Sequence, residues 1–150
     1  MRVPIIAMST LLLASTAFGG DDSSRAKLMG KWQQSGGNGE VTSAWDLEEG
    51  STDSIHVTYS SGGRTLAEFE CNTVGKECAV QDGGRKSKVW IYFNGPRLVE
   101  METRGSRVVK RRFSITGEGD TMDLETIPIA PAGKVETSHF KRVSPVIAKQ

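Results

Sequence analysis

The stretch Leu98-Val99-Glu100-Met101-Glu102-Thr103, followed after Arg104-Gly105-Ser106 by Arg107-Val108-Val109-Lys110-Arg111-Arg112-Phe113, decides the fold. Apolar and polar residues alternate on both sides of a glycine turn, the signature of an antiparallel hairpin with one buried face. A loop over 104–106 sets Thr103 opposite Arg107 and puts Val99, Met101, Val109, Phe113 and Ile115 on one face. Glu100 and Glu102 then share the other face with Lys110 and Arg112, where opposite charges pair in water. This register leaves Arg111 on the apolar side. A guanidinium there needs a partner, either an inward acid such as Glu68 or Glu70 or the carboxylate of an acyl ligand gripped by the planar fork. A slip of one residue exchanges the two faces.

The same texture runs through most of the chain. Strands are expected over 31–34, 43–48, 54–60, 64–71, 78–81, 86–94, 97–104, 107–116, 121–129 and 135–143. Between them stand Gly62-Gly63, Gly83-Gly84, Asn94-Gly95-Pro96, Gly105-Ser106 and similar turn signals. Tight turns imply an antiparallel meander, since parallel crossovers need a dozen or more residues. An all-β, up-and-down barrel of about eight to ten strands removes exposed edges; an open two-sheet sandwich is the other solution. In Lys88-Val89-Trp90-Ile91-Tyr92-Phe93-Asn94, aromatics occupy both faces of one strand. Burial accounts for them, or Trp90 and Tyr92 form a ligand wall with Arg111, Met101, Val109 and Phe113.

At 150 residues the chain has room for one domain. Lys and Arg number 19 against 18 Asp and Glu, a balance that argues against a dedicated nucleic-acid binder. No apolar run reaches the roughly 18 residues of a membrane-spanning helix. Residues 20–83 carry 5 basic and 11 acidic groups, and residues 84–150 carry 13 and 7. Cross-strand complementarity explains this asymmetry more simply than a binding patch does.

Residues 1–19 read as a secretory signal peptide: Arg2, an apolar run over 3–14, then Ala17 and Gly19 at the small-residue positions before cleavage. A polar arm over 20–29, a barrel over 30–143 and a tail over 144–150 follow, in a secreted or periplasmic protein. Cys71 and Cys78 flank a polar turn and would face each other across a hairpin mouth, so a structural disulfide is expected in an oxidising compartment. Catalytic signatures are missing: no nucleophile elbow, zinc-protease helix, P-loop or dinucleotide fingerprint occurs. The only histidines are His56 and His139, and His139 alternates outward from Phe140 and Arg142. Neither an enzyme nor a metal or other cofactor site is expected.

Gly30-Lys31-Trp32, after the polar arm, resembles the G-x-W signature of lipocalins and other calycin-type barrels. Phe140-Lys141-Arg142-Val143 resembles the last strand of the same families, in which an Arg packs over the Trp ring and closes the barrel base. The matching residues here are Gly30, Trp32 and Arg142. The middle Thr-Asp-Tyr-type turn of lipocalins is absent, and the chain looks more like the smaller bacterial lipocalin-like domains. The resemblance implies a non-catalytic barrel that encloses a small apolar, acyl or amphiphilic ligand. Bacterial metalloprotease inhibitors, also short exported barrels with a G-x-W-like start, imply a protein partner instead, met by residues 21–28. A cell-envelope domain with a filled core is the third reading.

Overall fold

The computed structural model describes residues 20–82 and 84–144. The expected signal peptide and residues 145–150 of the tail lie outside the described residues. Helix α1 (Gly20–Leu28) precedes ten strands: β1 (Gly30–Ser35), β2 (Val41–Glu49), β3 (Ser54–Ser61), β4 (Arg64–Asn72), β5 (Cys78–Asp82), β6 (Arg85–Asn94), β7 (Arg97–Arg104), β8 (Arg107–Thr116), β9 (Thr121–Ala130) and β10 (Glu136–Arg142). Each expected strand is present, with ends moved by at most two residues. The arm, whose sequence suggests at most one short helical turn, is helical over Gly20–Leu28, with Arg25 and Lys27 in the last turn, at the negative end of the helix dipole.

All ten strands form one antiparallel sheet in the order β4-β3-β2-β1-β10-β9-β8-β7-β6-β5. The β1–β10 ladder, with Trp32 opposite Arg142, turns the meander into a nearly closed barrel. β4 and β5 are the two edges of the sheet. The Cys71–Cys78 disulfide joins them at one end, with the Cα atoms 5.8 Å apart. That end is the one α1 covers. The other end, formed by the β3–β4, β5–β6 and β7–β8 turns, is open.

The interior toward the closed end is filled by apolar side chains. Leu28, Trp32, Leu47, Val57, Ile91, Leu98, Phe113, Met122, Leu124 and Phe140 belong to one buried cluster. The Arg142 guanidinium lies over the Trp32 ring, 4.2 Å from its centroid. A helix end leaves carbonyls without intrahelical partners, and these two side chains serve that need. Trp32 Nε1 donates to Leu28 O at 2.9 Å, and Arg142 Nη1 to Met29 O at 2.7 Å. Arg142 Nη2 donates to Lys27 O, while Nε reaches Gly119 O at 3.0 Å. Gly30 makes this arrangement possible, because its φ is +132° and a Cβ there would sit 2.6 Å from Arg142 Nη1. We expect Gly30→Ala to destabilise the fold by about 1–3 kcal/mol from backbone strain alone, with more from displacing the guanidinium. Unchanged denaturant unfolding would contradict that role.

The β7–β8 hairpin differs from the expected register by one residue. Arg104 pairs with Arg107, Glu102 with Val109 and Glu100 with Arg111. The turn is therefore two residues long, with Gly105 at φ +59°, as two-residue hairpin loops with glycine in the first position require. One residue of slip on one strand turns that strand over. Glu100 and Glu102 thus point inward beside Val109, Arg111 and Phe113, whereas Val99 and Met101 point outward. Trp90 pairs with Met101 and Tyr92 with Val99, so these aromatics also lie on the outer face. Val99 is nevertheless only 1% exposed, flanked there by its partners Tyr92 and Arg112.

Candidate functional site

The open half of the barrel holds a cavity of about 510 Å³. Its two walls are chemically different. Alternation along β2, β3 and β4 brings Trp45, Tyr59, Ala67 and Phe69 to the interior through successive cross-strand pairs. Tyr59 stacks on Trp45 with centroids 4.5 Å apart, and Phe113 meets Trp45 edge-on at 5.1 Å. This wall is largely aromatic. Across from it, β7 and β8 supply Glu100, Glu102, Arg104, Val109 and Arg111.

Arg111 is the centre of the polar wall. Its Nη1 donates to Glu100 Oε1 at 2.6 Å and to Glu102 Oε2 at 3.3 Å. Arg104 Nη2 lies 3.7 Å from the other Glu102 oxygen, so two carboxylates meet two guanidiniums. The Arg111 guanidinium also stands 5.9 Å from the Trp45 ring centroid, which ties the two walls together. Burial pushes the Glu100 carboxyl above the ordinary glutamate value, and Arg111 opposes that shift. Burial likewise works against the Arg111 charge, but Glu100 and Glu102 outweigh it and keep the guanidinium protonated. Both carboxylate contacts use Nη1; Nε and Nη2 make no hydrogen bond among the described residues.

Of the six residues expected from the sequence to meet a ligand, Arg111 and Val109 line the cavity, while Phe113 backs Trp45 from behind. Met101, Trp90 and Tyr92 are corrected to the outer face by the hairpin register. The inward acids are Glu100 and Glu102 rather than Glu68 or Glu70. Glu68 instead faces outward, 3.1 Å from His56, and Glu70 accepts from Ser54 Oγ at 2.6 Å. Arg112 pairs with Glu125 at 2.7 Å, not with Glu100 or Glu102. Trp45, Tyr59 and Phe69 were missed, although Trp45-Asp46-Leu47 and Val57-Thr58-Tyr59 alternate plainly. His139 is exposed and bonded to Asp123 at 2.7 Å. Among the described residues no group of three or more His, Cys, Asp or Glu could hold a metal ion, and no helix is long and apolar enough to cross a membrane.

The fold is that of the calycin and lipocalin class. A fatty acid binding protein of Schistosoma mansoni, solved in complex with arachidonic acid, superposes with a TM-score of 0.64 at 17% identity, over 81% of this chain and 99% of that one. Fatty-acid-binding protein 1 of Echinococcus granulosus gives 0.63 at 11% identity, over 79% and 99%. Secretory abundant heat soluble protein 4 of Ramazzottius varieornatus gives 0.63 at 14% identity, over 79% and 96%. At such identities the likeness concerns the fold alone. No protein-family profile matches the chain, and no curated protein is a significant match.

Proposed function

We propose that the chain is an exported, non-catalytic barrel that carries a small amphiphilic molecule, an acyl carboxylate or a close analogue, in the open half of its interior. The observation that carries this reading is the cavity of about 510 Å³ with an aromatic wall facing a guanidinium. That volume falls in the range of small-ligand sites, which pair apolar walls with a few placed polar groups. The acyl chain lies against Trp45, Tyr59 and Phe69, and its head group accepts from the unused edge of Arg111. The similar fatty acid binding proteins of Schistosoma mansoni and Echinococcus granulosus, the first solved with arachidonic acid, support the ligand class. Export is supported by the sequence of residues 1–19 and by the disulfide.

The test is a displacement titration with a fluorescent fatty acid, comparing wild type, Glu100→Gln and Glu100→Gln/Arg111→Leu. The second change is made in the Gln background so that no buried carboxylate is stranded. Wild type and Glu100→Gln should bind fatty acid alike. The double variant should lose about ten- to a hundredfold in affinity, as for a hydrogen bond to a charged group, while keeping its affinity for the matching fatty alcohol. Equal fatty-acid affinity in all three proteins would sink the role given to Arg111.

A further inference from the structure

The open end of the barrel has a surface character of its own. Three of its turns are flanked by arginine: Arg64 after Gly62-Gly63, Arg85 after Gly83-Gly84, and Arg104 and Arg107 around Gly105-Ser106. All four line the mouth of the cavity. Arg104 is drawn inward to Glu102, whereas Arg64, Arg85 and Arg107 are exposed and make no ion pair among the described residues. Lys134, in the β9–β10 loop, adds a further cation. The acids in the turns and strand ends on this side are Glu40, Asp82 and Glu136, so cations prevail. At the closed end the turns and strand ends carry Glu49, Asp53, Glu77, Glu118 and Asp120 against Lys76, Arg97 and Arg142, and Arg142 is committed to the carbonyls beneath α1.

Large exposed hydrophobic side chains gather at the same open end. Val41, Leu66, Ile129 and Val135 are each between 39% and 47% exposed, and all four sit where strands enter or leave the mouth-side turns. Only Val74 of this exposed set lies at the opposite end. Cations alone would suit any polyanion. Nucleic acid, however, is held without sequence preference by aromatic planes on which bases stack, and the exposed apolar groups here are aliphatic. Aliphatic side chains interleaved with unpaired guanidiniums match a lipid surface instead. There the apolar groups enter the acyl boundary, and each cation gains from the negative surface potential.

We infer that the barrel docks mouth-first on a bilayer containing anionic phospholipid, through Arg64, Arg85 and Arg107 together with Leu66, Ile129 and Val135. The cavity then opens directly onto lipid. The docking stands whether or not the cavity carries a ligand, so it can fail independently of the proposed function.

Flotation with vesicles of phosphatidylcholine, with and without phosphatidylglycerol, tests it on the exported chain. The wild type should float with the anionic vesicles, release as salt is raised, and stay behind with neutral ones. The triple variant Arg64→Gln/Arg85→Gln/Arg107→Gln should bind about a hundredfold more weakly, as expected when three surface cations are removed. Ile129→Ser/Val135→Ser should weaken binding without changing its salt dependence, while Lys31→Gln/Lys76→Gln, away from the mouth, should match the wild type. Circular dichroism checks that each variant is folded. No flotation, equal flotation with neutral vesicles, or a triple variant that binds like wild type would each overturn the docking. So would self-association at low salt without vesicle binding, which would show that the basic mouth meets the acidic end of a second copy.

Discussion

Trp32→Ala should destabilise the protein by about 3–5 kcal/mol, the range for emptying a fully packed aromatic site. The ring has no exposed surface, so its whole apolar area counts. It is also the platform for the Arg142 guanidinium and the donor to Leu28 O. Removing it leaves a cavity at the barrel base and frees a helix carbonyl, so the seat of α1 loosens along with the core. Trp32→Phe separates the two effects, because it keeps most of the apolar volume and loses only the donated hydrogen bond. That variant should lose about 1–3 kcal/mol, the penalty for a buried acceptor left unpaired. Denaturant unfolding measures both. A Trp32→Ala loss below about 1 kcal/mol, the level of an ordinary substitution, would mean that the base is not closed by this residue.

Arg111→Leu should be comparably damaging, and its effect should depend on pH. Taking away one member of a buried ion pair leaves the other charge uncompensated, which destabilises by about 3–5 kcal/mol. The group left behind is Glu100, only 3% exposed. Its carboxyl is already pushed up by burial, and loss of the opposing guanidinium pushes it further. A carboxyl raised in the folded state contributes no penalty below its unfolded value, near 4.5, where it is neutral in both states. The penalty grows as pH climbs from that unfolded value and is complete above the raised folded value. The deficit of Arg111→Leu relative to wild type should therefore be smallest in acid and grow toward neutral pH. Adding Glu100→Gln should remove most of it and flatten the pH dependence. A deficit that instead grew toward acid would show that Glu100 is not the stranded group.

The strands were readable because each is a short alternation bounded by glycine turns, and tight turns give the antiparallel neighbours except at β4 and β5, which follow one another in the chain but form the two edges of the sheet. The closure at Gly30, Trp32 and Arg142 was readable because its geometry needs three particular residue types at fixed places. The interior site was less legible, and the reason is local. In β7, both alternations are chemically sensible: Val99 and Met101 inward with Glu100 and Glu102 outward, or the reverse. Which one forms depends on whether the turn holds two residues or three, and Gly105 at φ +59° selects two. The single slip displaced Met101, and through cross-strand pairing Trp90 and Tyr92, from the cavity to the outer face. It also hid the partners of Arg111 on the adjacent strand, Glu100 directly opposite and Glu102 on the diagonal. The length of the helix over 20–28, where the sequence suggests one short turn at most, was less legible for another reason. Nothing in its composition favours a helix strongly, and it is held by carbonyl contacts to Arg142 and Trp32 from elsewhere in the chain. The repeated arginines beside Gly62-Gly63, Gly83-Gly84 and Gly105-Ser106 were visible as letters, but only the topology gathers them at one mouth.

The proposed amphiphile in the open half of the barrel would travel with the protein through purification. Native mass spectrometry of the protein purified from its own host, before and after delipidation, tests it most directly. A complex is expected whose extra mass matches a single acyl compound, lost on delipidation and restored by adding fatty acid. The bare protein mass under every condition, with no uptake of added fatty acid, would contradict it.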